Sequence, residues 1–485
     1  MSIDDTEHSL ANLDSFGDVA AEDDAVLDYF LSTRAVDVVE NGRSFLVLGR
    51  KGTGKTAIVR YFTEGRSTTI SKSLSLRGYP WNIHAQRIDR GASDIEAYVS
   101  SWRFLIAVQL ASLVISGNVS GRCAGFLKKF LEDNYGGTEP QLSDVLRPSR
   151  LTLSKFSLQP SVMGNQLGGV DLERSTKDHQ LGLELNALST SIIDAVLELA
   201  ADNNLGSLNL HFDELDQGLS RIDDKRRKML IGLIIASREI RRESGKIGGK
   251  INPVVYLRSD IWDELQFSDK NKVSQTAAFH LGWDKVSLID LVNERIKAKL
   301  GDSAGWESIA TPDLMRGSQS KWNHILARTF LRPRDVIQFL NIALSKSKAR
   351  DEHPIRFTNQ DIVDSRDEYS AYLKQELDDE IRQHWPHWDE ALQACSALST
   401  LTFDKEDFRR EYDKRKSTSN AVPTDEALRL LHRFSVIGYE RRSGYGGSSW
   451  AFQYTDPEAG WDNTATKFKV HLGLKEYAKL RETRQ

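Results

Sequence analysis

The sequence predicts an α/β protein: a parallel sheet with helices on both faces, then an all-helical segment, then three helices closed by a two-stranded hairpin. Three observations predict it. Short continuous apolar runs alternate with helix-patterned stretches across residues 1–300, as in strands buried on both faces and joined by helical crossovers. From about Leu300 only helical spacing continues. After Trp388 the order becomes three helices, a strand, a glycine-rich turn and a second strand.

In chain order, Val26, Leu27, Phe30, Leu31, Val36, Val38 and Val39 recur at helical spacing and predict one or two amphipathic helices. Residues 44–49, SFLVLG, read as a buried strand that meets a glycine-rich turn and a helix from Ala57 to Phe62. Ile70–Leu76 alternates like a strand, and helices follow at about 94–115 and 123–134. Between Leu151 and Asp171 apolar and polar residues alternate among glycines and a proline, which predicts a β-ribbon insertion. A helix at about 185–201 leads into LNLHFDE (208–214), and a helix at 225–243 precedes NPVVYLRSD (252–260). Phe279–Trp283 offers a further strand before a helix at 287–300. Pro333 opens a helix and Thr358 caps another that runs to 381. The last helices are expected at 388–398, 405–414 and 424–434, with strands at 436–442 and 449–454 and a closing helix at 474–480. The predicted domains are 1–300, with insertions near 66–95 and 140–180, then 301–375 and 376–485.

Composition narrows the function. Lys plus Arg is 65 and Asp plus Glu is 69, a formal net charge of -4, which argues against coating nucleic acid by bulk charge. Cys123 and Cys395 are the only cysteines and stand in no ligand spacing, excluding a disulfide framework and a cysteine zinc site. The acidic N-terminal stretch has no apolar core of a secretory signal, and no run approaches the roughly 18 apolar residues of a membrane span. A cytoplasmic location is expected, with no membrane partner.

Residues 49–56, GRKGTGKT, fit G-x-x-x-x-G-K-[ST] and stand between a buried strand and a helix, the context a phosphate loop requires. Gly49, Gly52 and Gly54 permit the torsions that turn successive N–H groups toward an anion, with Arg50, Lys51 and Thr53 supplying further backbone donors. The helix that begins at Lys55 and continues through Ala57 brings its positive dipole end to the same phosphates. Lys55 reaches the β- and γ-phosphates, and the Thr56 hydroxyl ligates Mg²⁺.

The strand 208–214 ends in two carboxylates. Asp213 is expected to hold Mg²⁺ through its water shell, and Glu214 to polarise the water that attacks the γ-phosphate. Asp216 falls in the following loop, and His211, inside the strand, reads as a packed core residue. Arg258 closes the next strand and is placed either to sense the γ-phosphate or to pair with Asp260 or Asp213. In the helical segment, Arg332 and Arg334 flank Pro333, and Arg334 is the preferred candidate to fold back onto the nucleotide, with Asp335 as its competing partner. Arg238, Arg241 and Arg242 read as a solvated helix face or as an arginine finger. His384, Trp385, His387 and Trp388 read as packing rather than a metal site.

GRKGTGKT, LNLHFDELD, VVYLRSD and RPRDVIQFLN in this order resemble the P-loop ATPases of the AAA+ and STAND superclass. The chain is similar, more narrowly, to bacterial STAND-like P-loop ATPases in which a Phe-Gly…Ala-Glu segment (here Phe16-Gly17…Ala21-Glu22) precedes the nucleotide domain and a winged helix follows the lid. That resemblance implies a P-loop NTPase sheet, an all-α lid and a winged-helix domain. It also implies ATP and Mg²⁺ as ligands and a nucleotide-controlled switch, with relatives acting in bacterial stress or antiviral defence.

The expected partner is a protein, either another copy of the chain or a different subunit. Helix 424–434 offers Arg429, His432 and Arg433, and the wing Arg441 and Arg442, yet the segment from Leu401 carries sixteen Lys/Arg against thirteen Asp/Glu. A DNA-reading module shows a clearer basic face. The alternatives are an ATP-dependent DNA-binding protein of the origin-recognition or transposition-helper kind, and a nucleotide-binding scaffold that does not hydrolyse.

Overall fold

The computed structural model describes residues 8–64, 68–77, 79, 94–146, 179–215, 223–246, 248–417, 421–442, 447–457 and 460–482. The expected ribbon at 151–171, Asp216 and the hairpin tip at 443–446 lie outside them. The chain forms two compact units: residues 32–50 with 55–281, and residues 1–31 with 51–54 and 282–485. The phosphate-loop segment thus passes from one unit to the other and back.

The first unit is a five-stranded parallel sheet. Helix α1 (Arg34–Glu40) precedes β1 (Leu46–Leu48), all of whose residues are buried, and helix α2 (Lys55–Thr63) follows the loop. Then come β2 (Ile70–Ser75), α3 (Asp94–Ile115), α4 (Arg122–Tyr135), α5 (Leu142–Leu146) and α6 (His179–Asp202). The central strands β3 (Leu208–Asp213) and β4 (Ile251–Leu257) are buried along their whole length and joined by α7 (Asp224–Lys246). Helices α8 (Ser259–Glu264) and α9 (Lys270–Ala277) lead to β5 (Ala278–His280). Strand order is β2-β3-β4-β1-β5, so β4 lies between the strand feeding the loop and the strand ending in carboxylates. The connection from β1 runs toward β2 and the one from β4 runs the opposite way to β5, so the chains leaving the two neighbouring strands diverge at their carboxyl ends, where such a sheet opens a crevice.

Pro253 sits in β4, a central strand, where a proline normally breaks the ladder. The Val255 N–H donates to Phe45 O, so by alternation the missing N–H at 253 faces the same side, below the first residue of β1. No bond is lost. Helix α3 is long and apolar enough to cross a membrane, but 89% of its most apolar window is buried in this unit, between α6 and α7. Its Trp102 donates to Met229 O of α7 at 2.9 Å, and Gly232 of α7 lies so close to Tyr98 that an added Cβ would sit 2.7 Å from it.

The second unit is helical and ends in a small sheet. It runs α10 (Lys285–Leu300), α11 (Trp306–Ile309), α12 (Lys321–Leu326), α13 (Pro333–Arg350), α14 (Asn359–Asp364) and α15 (Arg366–Ile381). Thr358 caps α14 in a capping box with Asp361. The single helix expected from Thr358 to 381 is two, because the Ser365 hydroxyl takes the Asp361 carbonyl at 2.6 Å and competes with the helical ladder. Residues 8–31, grouped by sequence with the sheet, pack here: Asn341 holds Phe16 N–H and Gly17 O, and Arg295 binds Phe16 O and Asp24. The amphipathic stretch predicted at 26–39 is a 3₁₀ turn at Val26–Tyr29, followed by α1 in the other unit.

Helices α16 (Trp388–Leu398), α17 (Lys405–Asp413) and α18 (Thr424–Arg433) follow, with β6 (Thr402–Asp404) between the first two. Strands β7 (Ile437–Arg442), β8 (Ser448–Ala451) and β9 (Lys467–Val470) complete an antiparallel sheet of order β6-β9-β7-β8. The two-stranded hairpin read from the sequence is therefore part of a four-stranded sheet. The closing helix expected at 474–480 is a 3₁₀ turn at Leu472–Leu474 followed by turns. It cannot continue because the chain returns to pair: Arg481 N–H donates to Ser399 O and Leu401 N–H to Arg481 O.

Candidate functional site

β1 ends by handing its chain to the loop, and the Gly49 N–H donates to Leu257 O of β4, which fixes where the loop starts. Gly52 and Gly54 both take positive φ, +80° and +95°, the region that costs an L-residue most and alternates peptide directions through the turn. The Lys55 ammonium donates to the carbonyls of Gly49 and Arg50, both at 3.0 Å, and so lies over the loop.

The Thr56 hydroxyl lies near enough to the Asp213 carboxyl to favour its charged form. The first residue after the loop lysine and the last residue of β3 therefore meet, although 157 positions separate them in the sequence. Asp213 is 4% exposed, and burial pushes its pKa up to about 6 against the opposing pull of the Glu214 N–H, the Thr56 hydroxyl and the Lys55 charge. A buried carboxylate beside a hydroxyl is an all-oxygen donor set of the kind Mg²⁺ uses, with few protein ligands and the rest from water and phosphate.

Glu214 follows with φ +58°, a left-handed conformation uncommon outside glycine and asparagine, which turns its side chain out of the strand's alternation. Its carboxylate accepts the hydroxyl of Ser75, the last residue of β2, which lies opposite Asp213 in the parallel register. Sequence reading missed Ser75, because only the β2–β3 register brings it to the carboxylates. Behind them, His211 is fully buried, stacked on Phe62 with centroids 5.0 Å apart and within 2.9 Å of the Tyr256 hydroxyl. Burial lowers its pKa to about 3, so the ring is neutral and packs as a core residue.

Arg258, at the end of β4, forms a two-pronged pair with Asp260 at 3.0 and 2.6 Å and is 3% exposed, the structural alternative to sensing phosphate. Arg238 pairs with Asp269 at 2.6 Å, and Arg241 donates to Gly42 O over the Phe45 ring. In the helical unit, Arg332 is 1% exposed, gripping Asp335 at 2.9 Å through both prongs and Glu380 at 2.5 Å. The Arg334 guanidinium donates to Val19 O and to Glu376. Lys51 pairs with Asp379 at 3.0 Å and Glu376 at 3.4 Å, so its side chain is engaged with α15. Among the described residues no cluster of three or more His, Cys, Asp or Glu side chains is placed to hold a metal; His384 packs on Phe434, and Trp388 donates to Asp378.

The parallel five-stranded sheet, helices on both faces and glycine loop after β1 make this a P-loop α/β fold. Residues 286–378 match the family described as the FunZ-associated C-terminal helical domain. Among solved structures, the chain is similar to the Walker-type ATPase PABY2304 of Pyrococcus abyssi at 13% identity and TM-score 0.39, over 92% of this chain and 99% of that one. It is also similar to Cdc6p from Pyrobaculum aerophilum at 11% identity and TM-score 0.31, over 94% and 96%. No curated protein matches the chain.

Proposed function

We propose that the protein is an ATP-binding and ATP-hydrolysing switch whose nucleotide state controls self-assembly or engagement of another protein. The observation that carries this reading is the nearness of Thr56, Lys55 and Glu214 to the buried Asp213 carboxyl. That nearness supports the reading, since a hydroxyl, an ammonium and two carboxylates at the carboxyl end of a parallel sheet are the set such chemistry uses.

In this reading the N–H groups of residues 50–54 and the ammonium of Lys55 hold the triphosphate, as the notched glycine turn allows. Thr56 and Asp213 would hold Mg²⁺, directly and through its water shell. When bound, Mg²⁺ neutralises charge on the β- and γ-phosphate oxygens. Glu214 orients the attacking water and accepts its proton, and the Ser75 hydroxyl holds that carboxylate in place.

The C-terminal unit supports a protein partner over DNA. We read it as a winged helix, since β6 lies between its first two helices and pairs with the strand that also joins the hairpin. Several of its basic residues are matched locally: Arg429 with Glu426, Lys405 with Asp425, and Arg441 with Asp456. Self-neutralised side chains offer little to a phosphate backbone. A role in defence or stress signalling rests on the family resemblance alone.

Phosphate release separates the switch from a scaffold. Glu214→Gln is expected to bind ATP within a few-fold of the parent and to lose about 10²–10⁴-fold in hydrolysis. Turnover equal to the parent would refute the role of Glu214. Lys55→Ala is expected to lose ATP binding, and retained tight affinity would overturn the loop assignment.

A further inference from the structure

A phosphate loop has two sides. Its N–H groups turn toward the anion, and the carbonyls of the same peptides turn away and need donors of their own. Here three successive carbonyls are taken by donors from the helical unit that residues 51–54 belong to. Arg332 Nη1 donates to Lys51 O at 3.0 Å, the Arg334 N–H to Gly52 O at 3.3 Å, and Trp283 Nε1 to Thr53 O at 2.9 Å.

We propose that Trp283, Arg332 and the Arg334 amide form a clamp on the carbonyl side of the phosphate loop, making Trp283 and Arg332 positioning residues for nucleotide phosphate. The proposal rests on the nucleotide-binding reading above and assigns that site a control element.

Four features carry it. The donors serve consecutive peptides, so they set the orientation of the whole 51–54 stretch rather than one bond. Each acts on the carbonyl of a peptide whose N–H belongs to Gly52, Thr53 or Gly54, and a bonded carbonyl polarises its own N–H toward an acceptor. Arg332 is itself immobile, since Asp335 and Glu380 grip its remaining edges in a fully buried fork. Finally, the approach is as close as side chains permit: a Cβ on Gly52 would lie 2.8 Å from Arg334 Cβ, so only glycine fits against the 332–335 turn. Lys51 adds a side-chain tie through Glu376 and Asp379 of α15. Displacing the 332–335 turn or Trp283 therefore releases the peptides that face the phosphates. Nucleotide affinity and the placement of this helical segment become one equilibrium, coupled in both directions.

Removing Arg332 outright would strand two buried carboxylates, so Trp283→Phe is the primary variant: it keeps an aromatic ring, though a smaller one, and deletes one donor. Two readouts are used. Hydrogen–deuterium exchange of the nucleotide-free full-length protein is expected to rise several-fold across residues 50–54 in the variant, with the β3 and β4 amides unchanged. Calorimetric titration is expected to show Mg·ATP and Mg·ADP binding weakened about 3–10-fold, the range of one neutral hydrogen bond, with adenosine unaffected. A folded variant, checked by circular dichroism, with parental exchange at 50–54 and parental ATP affinity overturns the clamp while the nucleotide reading stands. A parent that binds no ATP overturns the nucleotide reading, and exchange at 50–54 then decides the clamp by itself. Arg332→Lys, which keeps the charge but not the fork, is expected to weaken ATP at least as much as Trp283→Phe; parental affinity in a folded Arg332→Lys overturns the part assigned to Arg332.

Discussion

Asp213 is expected to weaken the fold it serves, and its removal tests this. Its carboxyl is 4% exposed, and burial moves its pKa from 3.8 to about 6 in the folded state. Between those values the folded chain holds a proton that the unfolded chain has released, so stability falls as pH rises through that window and stays low above it. At 1.4 kcal/mol for each tenfold change, the ionised group costs the nucleotide-free fold roughly 3 kcal/mol at pH 8 and about half of that at pH 5. Asp213→Asn removes the charge and keeps an oxygen for the Thr56 hydroxyl. The variant is therefore expected to melt about 5–10 °C above the parent at pH 8 in EDTA, with a gain about half as large at pH 5. Thermal unfolding followed by fluorescence at the two pH values reads this directly. Mg·ATP should then stabilise the parent, by about 2.7 kcal/mol at a hundred times its dissociation constant, and do little for the variant. A variant that melts below the parent at pH 8, or a gain independent of pH, would refute the reasoning.

Two further outcomes test the helical unit. Arg332→Met leaves Asp335 and Glu380, 0% and 3% exposed, buried without their cation, and urea unfolding should show a loss of about 3–5 kcal/mol. Gly473→Ala places a Cβ 2.2 Å from Arg328 O and 2.5 Å from Leu373 Cδ2; because the first neighbour is backbone, a cost of about 1–3 kcal/mol is expected in the same assay. Unchanged stability there would mean that the 472–474 turn does not pack on the 328–331 segment.

The parts of the site that were legible are those whose chemistry is written in consecutive residues. GRKGTGKT declares itself because close anion approach needs glycine torsions, an ammonium and a hydroxyl at fixed offsets. The run LNLHFDE declares itself because a strand buried on both faces is continuously apolar and its carboxylates can sit only at its end. His211 read as a core residue, and the fold agrees: burial keeps it neutral against Phe62 and Tyr256. Ser75 and Trp283 carry no such mark. A lone serine at a strand end and a tryptophan before a helix are common, and what distinguishes these two is the partner each meets across the fold.

The same division holds for the architecture. The residue pattern determined the parallel α/β sheet, the helix that starts at Pro333 and the cap at Thr358, because hydrophobic period and capping act over a turn or two of chain. Tertiary structure decided that β4 would stand between β1 and β3 and that the missing N–H of Pro253 would face the β1 side below the start of that strand. It also decided that β6 and β9 would widen the hairpin and that the helix expected at 474–480 would give way to turns so that Arg481 could pair with Thr400. Those outcomes depend on backbone groups finding partners from tens of residues to about two hundred residues away. A local pattern states which surfaces must be buried, and only the closed fold states against what.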